Sequence, residues 1–194
     1  VHPSLPVKSI KDLIALAKAK PNGLNYASSG QGSITHLATE LFIDMAGIKI
    51  VHIPYKGTSP AITDTIAGQT QVLFGSVAAA LPQMRNGRFR GIAVTTPKRI
   101  DGAPEIPTVS ESGLKGYEVT LWHGLIAPKG LPKPILDRIN GELNKILQNK
   151  DMQDKLAGDG VSAAGGTPGQ FAALIKKEID LWRKVAQKAG VKAE

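Results

Sequence analysis

The stretch Leu24-Asn25-Tyr26-Ala27-Ser28-Ser29-Gly30-Gln31-Gly32-Ser33-Ile34-Thr35-His36-Leu37 decides the fold. A short strand runs into a Gly/Ser-rich loop that opens onto an amphipathic helix, so unpaired backbone N–H groups and small hydroxyls converge at the positive end of a helix dipole. Such an arrangement holds an anion, phosphate or carboxylate. As a dinucleotide fingerprint it is incomplete. Gly30-x-Gly32-x-x-Thr35 lacks the third glycine, and the segment about twenty positions on, Ile50-Val51-His52-Ile53-Pro54, brings no acidic residue. The Gly-Lys-Ser/Thr end of a P-loop and the Gly-x-Ser-x-Gly of a nucleophile elbow are both absent. The same residues also read as a tight βα turn with Ser33 as helix cap.

Upstream, Ser9 and Asp12 form a capping pair, and the spacing of Ile10, Leu13, Ile14 and Ala17 predicts a helix to about Lys20, stopped by Pro21-Asn22-Gly23. Downstream, helix two carries Ile34, Leu37, Leu41, Phe42 and Met45 on one face and ends at Gly47. The pattern repeats. A strand over Ile50–Ile53 leads through Pro54-Tyr55-Lys56-Gly57-Thr58 to a helix capped by Ser59 with Pro60 at its first position, ending at Gly68. Strand Thr70–Phe74, loop Gly75-Ser76, a helix through Leu81 and Met84 and a fourth strand, Phe89–Thr95, complete the series. Alternation of strand, loop and helix predicts a parallel α/β sheet, whose carboxyl-end loops at Ser28–Ser33, Tyr55–Thr58 and Gly75-Ser76 face one crevice.

From Pro97 to Gly116 the composition turns to Pro, Gly and polar residues, with one helical turn near Thr108–Ser112, which suits a crossing or hinge. Tyr117–Trp122 alternates as a strand, and His123–Pro128 continues or re-enters a sheet. Two long helices follow, Pro134 to about Gln148 and Pro168 to Ala189, the second announced by the capping box Thr167-Pro168-x-Gln170. Between them Asp151 caps a short helix and Val161-Ser162-Ala163 is a candidate edge strand. These last helices have hardly any sheet to cover.

The 194 residues are 42% hydrophobic and 21% charged, an ordinary globular balance with no apolar run long enough to span a membrane. With no cysteine there is neither a disulfide framework nor a thiolate metal site. The net charge of +8 is spread over helix faces, and aromatics are only 5% of the chain, which argues against a base-stacking nucleic-acid surface.

Tyr26-Ala27-Ser28-Ser29-Gly30-x-Gly32-Ser33-x-x-His36-Leu37-x-x-Glu40, Ile53-Pro54-Tyr55-Lys56-Gly57, Ala93-Val94-Thr95-Thr96-x-Lys98-Arg99, Ile106-Pro107-Thr108-Val109-x-Glu111-x-Gly113 and Gly165-Gly166-Thr167-Pro168 run in order along the chain. The sequence resembles the Bug (TctC-type) extracytoplasmic solute receptors, the periplasmic binding proteins of tripartite tricarboxylate transport systems. The resemblance implies a two-lobed type II periplasmic-binding-protein-like α/β fold that holds a small organic acid between its lobes. A typical member is longer by about a hundred residues at its N-terminus, the ordinary size of one domain. Residues 5–120 are thus expected to form the second lobe, a parallel-sheet unit carrying the ligand loops. Residues 121–194 are expected to be the helical remainder of the first lobe.

Matched position by position, Ser28, Ser29, Gly30, Gly32 and Ser33 are expected to hold one carboxylate of the ligand, while Tyr55, Lys56, Gly57 and Thr58 line the crevice. Gly75-Ser76 is a departure, since many relatives place there an Asp able to pair with an amino group; its absence disfavours an amino-acid ligand. His36 also reads as a neutral residue stabilising the backbone around it, His52 as a satisfied core or edge residue, Lys56 as a solvated charge and Trp122 as a packing anchor. The implied function is capture of a di- or tricarboxylate or related acid in the periplasm for the membrane subunits of a transporter, with no cofactor, metal or nucleic acid. Two alternatives accompany it. One is a shortened, non-binding receptor that dimerises through its uncovered first-lobe helices. The other is a phosphate-handling α/β enzyme, weakened by the lack of any carboxylate in the three crevice loops.

Overall fold

From Ser9 to Gly47 the local signals set the elements where they were expected. In the computed structural model, which describes residues 1–191, helix α1 (Ile10–Ala19) starts where Ser9 Oγ accepts the Asp12 N–H at 3.1 Å, and it buries Ile10, Leu13 and Ala17. Strand β1 (Asn25–Ser28) leads to α2 (Ile34–Ala46), whose N-cap is Ser33 and whose last turn closes on Gly47 in the left-handed region at φ 62°. Then come β2 (Val51–Pro54), α3 (Thr58–Ile66), β3 (Val72–Leu73) and α4 (Val77–Arg85). Helices α5 (Lys133–Gln148), α6 (Lys150–Gly158) and α7 (Pro168–Lys188) complete the chain.

The three strands form one parallel sheet in the order β2-β1-β3. Ser28 stands opposite Pro54, and Ala27 opposite Leu73, so the carboxyl ends of all three strands reach the same edge. The α/β class stands. Tyr26, Phe42 and Tyr117 are completely or almost completely buried at the centre of the core, where Phe42 meets Phe74 and, edge to face, Tyr117. The Tyr117 hydroxyl donates to the Ala38 carbonyl at 2.9 Å, tying residue 117 to α2.

Several predicted elements are shorter or shifted. β3 spans two residues rather than Thr70–Phe74. The segment 89–95 is no strand: Arg90 N–H donates to Val1 O, Val94 N–H to Pro107 O, and the carbonyls of Val94 and Thr95 accept from Val109 and Val119. Single bonds to several different segments make no ladder, and only the bridge of Val94 with Thr108 remains. An apolar cavity of about 140 Å³ is lined from both sides by β3 and this segment, with Val72, Phe74, Met84, Ile92 and Ile106 in its walls. The segments 117–122, 123–128 and 161–163 are likewise irregular, without strand partners among the described residues.

Helix starts moved too. Gly57, not Ser59, precedes α3, so Pro60 sits within the first turn, where its missing N–H costs nothing. Asn149 rather than Asp151 caps α6, its side chain accepting the Met152 N–H at 3.2 Å. The burial of α2 differs from its apolar stripe: His36, Ala38, Thr39, Phe42 and Ala46 are buried, while Met45 is exposed. Small side chains at 38, 39 and 46 let the helix lie close against the sheet. The capping box of α7 forms as expected, Val185 is buried, and the half-buried Trp182 packs α7 against the main core. Helices α5 and α6 bury no residue.

Candidate functional site

At the carboxyl edge of the sheet, the loop after central β1 is flanked by the loops after β2 and β3. The sequence builds it from residues that tolerate tight, polar backbone. Gly30 lies at φ 139° and Gly32 at φ 69°, regions that L side chains rarely adopt. A Cβ on Gly30 would stand 3.2 Å from the Tyr55 carbonyl, so this glycine also lets the two loops touch. The Tyr55 and Gly57 N–H groups donate to the carbonyls of Ser28 (3.1 Å) and Ser29 (3.0 Å), lacing the loops together.

Much of the loop's polarity is used internally. Ser28 Oγ accepts the Gly30 N–H at 3.2 Å, Thr35 Oγ1 accepts the Ser29 N–H at 2.9 Å, and Ser33 Oγ donates to Gly30 O at 2.7 Å. The Gly32 N–H, expected to face a ligand, is instead held by His36 Nδ1 at 3.1 Å. The backbone N–H groups of Gln31, Ile34 and Thr35 donate to nothing among the described residues. Two of these are the leading N–H groups of the 13-residue α2, so they point out along its positive end.

The flanking residues take different places. Tyr55 turns its hydroxyl toward Asp64 on α3; burial, then that carboxylate, pushes its pKa up. Lys56 has no ion pair among the described residues, and Thr58 opens α3. Ser76 precedes α4 with its hydroxyl making no cap bond, and Gly75 lines the apolar cavity behind β3.

Beneath the loop stand groups whose arrangement the sequence reading did not foresee. His52 Nε2 lies 2.6 Å from Ser28 Oγ, the Tyr26 hydroxyl donates to Glu40, and the rings of Tyr26, His52 and His36 stack. Burial is the main cause that lowers both histidines: His36 falls below the usual imidazole range despite Glu40, and His52, with His36 beside it, drops to about 4. Burial also raises the Tyr26 phenol, helped by Glu40. The only available signal was the spacing of His36 from Glu40 on one helix face, which says nothing of β2.

Among the described residues no group of three or more His, Asp or Glu is placed to hold a metal, and no helix is long and apolar enough to cross a membrane. The loop offers hydrogen-bond donation to an anion from its free backbone N–H groups.

Residues 1–191 match the model of the tripartite tricarboxylate transporter family receptors. A protein from the tcbD-tcbE intergenic region of Pseudomonas sp. strain P51 is 37% identical over 92% of this chain and 53% of its own length. Protein BugT of Bordetella pertussis is 34% identical over 98% of this chain and 59% of its own length. Among solved structures, the R. palustris protein Rpa4515, with adipate, superposes with a TM-score of 0.90 at 37% identity, covering 98% of this chain and 64% of that one. MatC from Rhodopseudomonas palustris, with bound malate, gives 0.81 at 27% identity over 95% and 64%. The chain thus spans 53% and 59% of the length of these two curated relatives and 64% of the two solved chains.

Proposed function

The chain belongs to the tripartite tricarboxylate transporter receptor family, and from that premise we propose that it is a periplasmic solute-binding protein that captures a small organic carboxylate for the membrane subunits of such a transporter. The observation that carries this reading is the set of free N–H groups at Ile34 and Thr35, which open α2, and at Gln31 in the loop before it, at the carboxyl edge of the sheet. A carboxylate there accepts two or three charge-assisted hydrogen bonds and sits against the helix dipole. Ser28, Ser29, Gly30, Gly32 and Ser33 shape the pocket. Tyr55, Lys56, Gly57 and Thr58 wall one side, with Lys56 attracting the anion, while Gly75 and Ser76 close the other.

The adipate and malate held by the two solved relatives are dicarboxylates, which supports that substrate class for this chain. The ligand's second acid group meets residues of another lobe, and closure of the lobes buries it. We read the protein as a binding module: its three crevice loops contain no carboxylate, and the two histidines beneath them are engaged with the loop's own Gly32 N–H and Ser28 hydroxyl.

Isothermal titration with adipate, malate, citrate and phosphate tests this. Saturable binding of one carboxylate, lost in Ser33→Pro with the circular dichroism spectrum kept, is the expected result. Preferential binding of phosphate, or a carboxylate affinity indifferent to Ser33→Pro, overturns it.

One observation favours self-association besides: Ile135, Ile139 and Ile146 on α5, with Leu125 and Ile126 before it, form an exposed apolar face. A dimer through these helices gives about twice the monomer mass in light scattering; a monodisperse monomer counts against it.

A further inference from the structure

The stacked rings beneath the loop have a use that the carboxylate reading does not absorb. His36 and His52 lie with centroids 3.9 Å apart and planes 11° from parallel, and Tyr26 covers His52 at 4.8 Å. Each imidazole reaches up to a different part of the loop, His36 to the Gly32 N–H and His52 to the Ser28 hydroxyl. We propose that His36 and His52 are positioning residues of the anion loop: as stacked neutral rings they fix the Gly32 peptide and the Ser28 hydroxyl, and a proton taken up at His36 Nδ1 releases the Gly32 peptide and weakens the loop's hold on a carboxylate. This rests on the reading of that loop as the carboxylate site.

The bonding dictates the protonation state. An N–H that donates to His36 Nδ1 needs a lone pair there, so the ring carries its proton on Nε2, on the side of Glu40 at 3.8 Å. A proton added at Nδ1 sets two donors against each other across 3.1 Å. The ring is buried and packed against His52, so the Gly32 peptide has to give way. His52 has more latitude. Ser28 Oγ either donates to Nε2 or accepts from it, turning its own hydrogen to the Gly30 carbonyl at 3.2 Å.

The groups facing the pair are few. Glu40 on α2 and Tyr26 on β1 are the titratable ones among the described residues, and the loop presents only the neutral Ser28 and Gly32. Burial lowers the His36 imidazole although Glu40 favours its protonated form, and burial, then His36 itself, lowers that of His52, so both rings are biased toward the neutral form. Two positive rings 3.9 Å apart repel, so the pair takes up one proton before a second.

The test compares wild type with His36→Asn, which keeps an acceptor at the Nδ1 position but binds no proton, and His36→Leu, which removes it. With adipate as probe at pH 7.5, Asn is expected to bind within about twofold of wild type and Leu about tenfold more weakly. Between pH 7.5 and 5 the wild-type affinity falls relative to that of His36→Asn, a ratio from which adipate's own protonation cancels. Identical pH profiles, or Leu equal to wild type, overturn the proposal. If no variant binds adipate, malate or citrate, the carboxylate reading fails on its own, and the Gly32 amide still decides the positioning role. Its ¹⁵N–¹H resonance should titrate with His36 and resist exchange in wild type, stay protected but pH-insensitive in Asn, and lose protection in Leu. Equal exchange in all three proteins refutes the positioning role.

Discussion

Replacing Gly30 by alanine tests whether the loop geometry is as constrained as it looks. At φ 139° a side chain is strained wherever it points, at a cost of about 1–3 kcal/mol. The new Cβ also stands 3.2 Å from the Tyr55 carbonyl, tighter than ordinary van der Waals contact. Tyr55 yields poorly, because its own N–H is committed to Ser28 O and the neighbouring Gly57 N–H to Ser29 O. We therefore expect about 2 kcal/mol of destabilisation. With a urea slope of about 2 kcal/mol per molar, the unfolding midpoint falls by about 1 M. Two further glycines calibrate the measurement. Gly47→Ala, at φ 62° with open space around it, should cost about 1 kcal/mol and move the midpoint about half as far. Gly141→Ala, inside α5 with nothing near its Cβ, should stabilise by about 0.5–1 kcal/mol. Urea unfolding followed by circular dichroism gives all three numbers. A Gly30→Ala midpoint within about 0.2 M of wild type would show that the loop is not held in the described conformation, and would falsify the assignment of Gly30 as its pivot.

Two other perturbations follow from the core and the ring stack. Phe42→Ala removes a fully buried ring packed against Phe74 and Tyr117 and should cost about 3–5 kcal/mol by urea unfolding, whereas Phe42→Leu should cost less than about 1.5; equal costs would mean that the aromatic cluster collapses around the gap. The histidines make stability pH-dependent. Their folded values lie below that of the unfolded chain, so the unfolded state binds more protons between the two, and the stability present above about pH 6.5 is lost as pH falls toward 4. For His52 this amounts to about 2 kcal/mol once its partial exposure is allowed for. His52→Gln, which does not titrate, should flatten the dependence of the urea midpoint on pH across that window, and an unchanged slope would remove His52 from the account.

What could be read in advance was what neighbours in sequence determine. Ser9, Ser33 and Thr167 cap their helices because a cap bond spans three residues, and Gly47 ends α2 because only the local backbone angle matters. The alternation that places the β1 loop ahead of α2 is a matter of short-range periodicity, and so the glycines and serines of the candidate site were legible. So was the family, since its motifs are contiguous runs.

Tertiary structure alone decided which of those polar groups remain available. A strand's length depends on a partner from elsewhere: β3 stops at two residues and 89–95 pairs with nothing regular, although both stretches have the apolar composition of strands. The Gly32 N–H looks like a ligand donor until His36, four residues on, turns its ring back to accept it, and that turn is fixed by a stack with His52 on the neighbouring strand. Ser28 is likewise a free hydroxyl in the sequence and a partner of His52, 24 positions away, in the fold. Side-chain bonds across a sheet depend on which strands lie side by side, and the order β2-β1-β3 follows from burying the whole core at once rather than from any segment's own preference.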